Sequence, residues 1–154
     1  MSYTQSVLQP GETIVATGRL HWTSYWPAIL SLIAGVAAVA FVRSVLPSHD
    51  VLITATMLIF GALFIGTFAY AWFVRWITEF AITNRRVIYK RGFIWRITAE
   101  MNMDKVETVD VGQSILGRLL DYGMIHVRGT GSGEGITVKR IAAPVALRNA
   151  ITAK

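Results

Sequence analysis

Residues 51–74, VLITATMLIFGALFIGTFAYAWFV, carry no charged side chain from Val51 to Val74. Wound as a helix at about 1.5 Å per residue they measure roughly 36 Å, more than the roughly 30 Å hydrocarbon core of a bilayer. Leu, Ile and Phe recur around the whole circumference, which leaves an amphipathic surface helix no polar face. A core helix of a large soluble protein would look similar, but 154 residues do not build a core that encloses one this long. The stretch reads as a membrane-spanning helix.

Upstream, Trp22–Val42 (WTSYWPAILSLIAGVAAVAFV) is also uncharged and reads as a first span. Trp22, Tyr25 and Trp26 gather at its start, where amphipathic rings favour the headgroup boundary. Pro27 takes an early helical position at which its missing N–H costs little. Ala34 and Ala38, with Ala62 and Gly66 on the other span, form small-xxx-small pairs suited to close helix approach. Only residues 43–50, RSVLPSHD, join the spans, and Pro47 stops helix continuation there. A two-helix transmembrane hairpin is expected, with both termini on one side. Thirteen of the fifteen Lys and Arg lie from Arg75 onward, which predicts a cytoplasmic side for the termini; Arg43 in the outer loop opposes it alone.

The composition, 53% hydrophobic and 16% charged, leans away from an ordinary soluble chain. Cysteine is absent, which excludes a disulfide framework and thiolate chemistry. A formal charge of +6 can signal nucleic acid, but zinc-finger spacing, an aromatic RNA-binding signature and a continuous basic helix are all missing. A membrane accounts for the same charge, so no nucleic-acid partner is expected. Residues 1–21 read as a polar cytoplasmic tail with a Pro10-Gly11 turn and a short strand at Thr13–Thr17. No secretory signal is recognisable there, and no cleavage is expected.

Past Arg75 the pattern changes to short β-like segments. Trp76–Thr83 and Arg86–Lys90 read as strands joined through Thr83-Asn84-Arg85, and Gly92 turns the chain into a strand at Phe93–Thr98. Val106, Val109 and Val111 mark another strand, Ile115–Leu120 a single helical turn, and Met124–Arg128 with Ile136–Ile141 a hairpin. Pro144 opens a final helix to Thr152, with Ala146, Leu147, Ala150 and Ile151 at helical spacing. The fold class is thus an α+β membrane protein: the hairpin (22–42 and 51–74, loop 43–50), then a β-barrel or sandwich over 76–154 with a C-terminal helix.

The blocks Ala81–Gly92 (AITNRRVIYKRG), Met103–Glu107 (MDKVE) and Gln113–Gly123 (QSILGRLLDYG), with the closing Pro144, Leu147 and Ile151, resemble the pleckstrin-homology-like domain of a bacterial membrane-anchored family. The resemblance runs from Trp76 to Thr152. Similar proteins carry two transmembrane helices ahead of the domain, and a turn matching Gly11-Glu12 ahead of both. The resemblance implies two roughly orthogonal antiparallel sheets closed at one corner by the C-terminal helix, in a bacterial inner membrane. It brings no catalytic residues and no assigned ligand. Eukaryotic pleckstrin domains bind phosphoinositides through a basic loop between their first strands, a property not assumed of this bacterial branch.

Arg85, Arg86, Lys90, Arg91 and Arg96 place five positive charges in twelve residues with no acidic residue among them. With Phe93 and Trp95 they form the candidate contact for lipid headgroups or a partner, worth about 1 kcal/mol per basic residue near an anionic surface. The plainer alternative is a topology signal and a hairpin edge protected by charge. If Trp76–Thr83 leads away from the bilayer, Arg86–Lys90 leads back. Lys90, Arg91, Phe93 and Trp95 then face the headgroups and Arg85 and Arg86 lie at the far end. The run Gly129–Gly135 (GTGSGEG) has Glu134 where a dinucleotide loop needs glycine, and reads as a hairpin tip. Glu100, Asp104, Glu107 and Asp110 lack the spacing of a calcium loop, and His21, His49 and His126 that of a zinc site. No catalytic, cofactor or metal residue is assigned.

The expectation is a membrane-anchored, non-enzymatic binding or scaffold module whose partners are membrane lipids and an unidentified membrane or cytoplasmic protein. The alternative is a small accessory subunit of a membrane transport or enzyme complex, held by the two helices. Beyond the polar and aromatic start of the first span (residues 22–26), the polar groups in the spans are Ser31, Thr54, Thr56, Thr67 and Tyr70, which move no proton or ion unaided.

Overall fold

Strand Ile14–Gly18 (β1) pairs antiparallel with Glu79–Thr83 (β2), and both long apolar helices lie in the chain between them. The computed structural model describes residues 4, 7–93, 97–130 and 135–153. The chain forms two compact units, one of Met1–His21 with Arg75–Lys154 and one of Trp22–Val74. The segment ahead of the helices thus supplies a strand to the β unit.

The helical unit opens with a 3-10 turn, Trp22–Tyr25, followed by α1 (Trp26–Val45) with Pro27 in its first turn. Helix α2 covers Asp50–Ile77. Arg43 in the last turn of α1 and Asp50 in the first turn of α2 each suit the local end of the helix dipole. The two helices are long and apolar enough to cross a membrane. They run antiparallel: Tyr25 stacks on Phe68 at 5.2 Å, and Ser31 Oγ stands 3.5 Å from Thr67 Oγ1.

Their seam differs from the one expected. Ala28, Ser31 and Gly35 are the buried residues of α1, whereas Ala34, Ala62 and Gly66 are exposed and Ala38 is half-buried. A Cβ at Gly35 would stand 2.8 Å from Phe60 Cβ, while nothing lies within 4 Å of one at Gly66. Neighbouring residues point about 100° apart around a helix, so close approach at Gly35 turns Ala34 outward. The small-residue pair in use is Ser31 and Gly35.

In the β unit, β1, β2, β3 (Arg86–Arg91) and β4 (Ile97–Asn102) form one antiparallel sheet in that order. Strands β5 (Val106–Gly112), β6 (Tyr122–Gly129) and β7 (Ile136–Ala142) form the second. A short helix α3 (Ile115–Leu119) links β5 to β6, and α4 (Pro144–Thr152) ends the chain's regular structure. Inward residues alternate along the strands, as a sheet with one buried face requires; on β6, Gly123, Ile125 and Val127 are buried. Phe80, Ile82 and Val87 from the first sheet meet Ile125, Val127, Ile136, Val138 and Ile141 from the second. Leu147 and Ile151, one helical turn apart on α4, close this core.

The sheets are tied where β1 ends. Leu20 bridges to Ile141, Ala142 N–H donates to Arg19 O at 3.0 Å, and His21 N–H donates to Arg140 O at 2.7 Å. Gly18 packs closely there: a Cβ would meet Ile141 Cδ1 at 2.6 Å and Phe80 Cδ1 at 2.9 Å, so these core side chains would have to shift.

Two boundaries move from expectation. The strand read at Trp76–Thr83 begins only at Glu79, because α2 continues through Trp76 and Ile77. Extending a formed helix fixes one residue per added hydrogen bond, which outweighs the strand preference of Trp and Ile. The strand read at Phe93–Thr98 is β4, Ile97–Asn102; Ile94, Trp95 and Arg96 lie outside the described residues.

Candidate functional site

The basic segment 85–91 is built on the β2–β3 hairpin, and its two ends differ. At the turn end, Thr83 Oγ1 accepts from the Arg85 and Arg86 backbone N–H groups at 3.2 and 2.9 Å and donates to Glu12 Oε1 at 2.7 Å. Asn84 reaches the same N-terminal segment: its N–H donates to Thr13 O, and its Oδ1 accepts from Thr13 N–H, each at 3.0 Å. The turn at Pro10-Gly11 presents Glu12, with Gly11 at a positive φ of 78° that favours glycine.

Arg86 is held within this arrangement. Its Nε donates to Glu12 Oε1 at 3.0 Å, Nη2 to Glu12 Oε2 at 3.0 Å and to Val7 O at 2.8 Å, and Nη1 to Glu100 Oε2 at 2.6 Å. The Glu12 side chain is fully buried. Hydrogen bonds from Arg86 hold its pKa down at about 2 against the cost of burial, and Glu12 in turn raises that of Arg86. The absence of acidic residues, true along the segment, fails in space because Glu12 and Glu100 arrive from elsewhere in the chain. Arg85 is exposed beside an open cleft of about 430 Å³ lined by Gln9, Asn84, Asn102 and Asp104.

At the other end, Lys90 is half-buried and sits opposite Glu79 and Thr98 in the sheet, while Arg91 is exposed opposite Ile97. Gly92, at a φ of 97°, turns the chain outward. Phe93 there is 55% exposed, and its ring centroid lies 6.3 Å from that of Trp76, itself 61% exposed. Ile97 is exposed as well. Apolar rings beside Lys90 and Arg91 make a surface that suits an interface between water and hydrocarbon. Trp76 was missing from the sequence-derived site, although a tryptophan closing an apolar span is an interfacial signal. Trp95 and Arg96, also assigned to that site, lie outside the described residues.

The candidate carboxylates do not gather. Glu100 takes Arg86 and Asp110 takes Arg128, and among the described residues no group of three His, Asp or Glu could hold a metal ion. His126 Nδ1 pairs with Thr137 Oγ1 at 2.5 Å. His21 stacks on Tyr122 with centroids 5.1 Å apart, and burial, then the positive Arg75, lower its pKa against the pull of Asp121.

Two antiparallel sheets of four and three strands, with a terminal helix on their shared core, define a pleckstrin-homology-like fold. A family model for the bacterial PH domain matches residues 27–154, and the chain belongs to that family. The match takes in both long helices and leaves β1 outside, although β1 is hydrogen-bonded into the first sheet. No curated protein and no solved structure matches the chain.

Proposed function

We propose that this protein is a membrane-anchored, non-enzymatic binding module that presents its PH-like unit at the cytoplasmic face of a bacterial inner membrane. The observation that carries the reading is the pairing of β1 with β2. The chain leaves one strand, passes through two antiparallel apolar helices and returns to the neighbouring strand, so both ends of a spanning hairpin belong to one side. Thirteen of fifteen Lys and Arg fall on the returning side, which supports a cytoplasmic placement of that side. The exposed Arg91, Phe93 and Trp76, with half-buried Lys90, support a headgroup contact at that end of the sheet, at about 1 kcal/mol per basic residue.

The cysteine-free chain lends itself to a direct test. Ser48→Cys is expected to react with a membrane-impermeant maleimide on intact cells, and Arg85→Cys only after permeabilisation. The reverse pattern inverts the topology, and equal labelling of both on intact cells removes the spans. In proteoliposomes of the full chain, a dye on Phe93→Cys is expected to be quenched by lipid-borne quenchers, less so with Lys90→Glu and Arg91→Glu. No quenching leaves the helices as a plain anchor.

One observation favours the accessory-subunit alternative. Leu58, Ile59 and Ile65 on α2 are exposed, and a groove of about 510 Å³ along Gly35, Phe60 and Gly61 is open to another helix. Exchanging the hairpin for an unrelated one, with loss of a crosslinked protein partner in native membranes, would favour that reading over the first.

A further inference from the structure

Helix α3 has a fixed seat and an apolar crown. Ser114 caps it, its Oγ accepting from Gly117 N–H at 3.0 Å, and Gln113 Nε2 donates to both Gly117 O (3.3 Å) and Tyr122 O (3.2 Å). Gly117, buried, lies so close to the first residue of β6 that a Cβ would stand 2.6 Å from Tyr122 O. The opposite face carries Ile115, Leu116 and Leu119, which are 87%, 58% and 79% exposed. Three large apolar side chains on a helix of five residues are left to water by a polar clamp that fixes their direction. Exposed apolar groups gathered in this way mark a contact surface.

The position of α3 within the β unit says which contact. Tyr122, against which Gly117 packs, stacks on His21, the last residue before the helical excursion begins. Asp121 O accepts from Ala143 N–H at 2.9 Å, and His21 N–H donates to Arg140 O at 2.7 Å, so α3 is anchored to the part of the unit through which the chain departs. Arg75, the first residue after the excursion, belongs to the β unit as well. The charged group within α3 is Arg118, a cation, and the helix holds no acid. Apolar side chains flanked by a cation are the composition of a segment lying at a bilayer surface.

We propose that Ile115, Leu116 and Leu119 insert into the lipid interface beside the point where the chain leaves the β unit, with Arg118 among the headgroups. The inference rests on the reading of α1 and α2 as membrane spans. It adds a second lipid contact, on the β5–β6 connection, to the one proposed at Arg91 and Phe93.

The test uses the full chain in vesicles of phosphatidylcholine and phosphatidylglycerol, with an environment-sensitive dye on single cysteines. Ile115→Cys and Leu119→Cys report on α3, Ile59→Cys on the span, and Arg85→Cys on the turn at the far end of β2. A bilayer-borne quencher is expected to reduce intensity at 115 and 119, and iodide to leave both unchanged while quenching 85. Iodide quenching at 115 and 119 equal to that at 85, with 59 lipid-quenched, overturns the inference and leaves the spans standing. Protection of 115 and 119 from both quenchers also overturns it, since a protein would then cover α3. Loss of lipid quenching at 59 removes the span reading itself.

Discussion

Glu12 and Arg86, 74 residues apart in sequence, form a two-point ion pair in which both carboxylate oxygens accept from the guanidinium at 3.0 Å. The pair locks the segment ahead of the helices onto the hairpin that follows them. Its location explains why Arg86 belongs to the stability of the β unit, whereas Arg91 at the other end of the same strand remains exposed. A planar guanidinium meeting a carboxylate along two parallel bonds also resists exchange for lysine, whose single ammonium has no such fork.

Removing one partner leaves the other charge buried with incomplete hydrogen bonding. Glu12→Gln is expected to lower the unfolding free energy by about 2–3 kcal/mol, less than a fully buried pair because Glu100 still holds Arg86. Thermal unfolding of the full chain in detergent measures it. The double variant Glu12→Gln with Arg86→Met should lose less than the sum of the single losses; strict additivity would mean that the two side chains are not coupled.

The same pair sets a pH dependence. The Glu12 carboxyl is lowered from 4.5 to about 2 on folding, so the unfolded chain takes up a proton first as the pH falls. The contribution is complete above pH 4.5 and declines as the pH falls toward 2. The difference in stability between the wild type and Glu12→Gln is therefore expected to shrink through that window and to stay level above it. A difference that is constant from pH 6 to 2 would show that the carboxyl keeps its ordinary value.

The helices, the β6–β7 hairpin and the C-terminal helix were legible because each carries its own period or punctuation, such as Pro144 followed by Leu147 and Ile151. Recognition of the fold rested on local blocks for the same reason. What escaped was non-local. Nothing in the segment Arg85–Arg91 reveals that Glu12 and Glu100 converge on Arg86, and although Thr13–Thr17 reads as a strand, nothing in it shows that its partner lies beyond two helices. Trp76 was misassigned because Trp and Ile suit a strand as readily as the end of an apolar helix. The helix seam failed on angle: Ala34 and Gly35 are both small, and only packing against Phe60 decides between them.

That seam gives a prediction that separates glycines of identical local sequence character. Gly35→Ala introduces a Cβ 2.8 Å from Phe60 Cβ, an atom close to the backbone that cannot swing aside, whereas Gly66→Ala meets nothing within 4 Å. Gly35→Ala is expected to cost about 1–3 kcal/mol in detergent, with partial recovery on adding Phe60→Gly, which removes the Cβ that it meets. Gly66→Ala should be neutral or stabilising, since alanine favours the helix by about 1 kcal/mol over glycine. Equal effects at the two sites would contradict the packing at Gly35.

The short helix α3 yields a parallel contrast between its seat and its crown. Gly117→Ala drives a Cβ to 2.6 Å from the Tyr122 carbonyl and 3.3 Å from Ser114 Oγ, both parts of the clamp that orients the helix. Backbone has to shift, and the expected loss is about 1–3 kcal/mol in thermal or denaturant unfolding. Leu119→Ser, at a side chain 79% exposed, removes more apolar surface yet should change stability by about 0.5 kcal/mol or less. A stable fold that does not need Leu119 leaves that side chain available for contacts outside the β unit. A loss at Leu119 as large as that at Gly117 would instead make it part of the core, and its exposure would no longer argue for a bilayer contact.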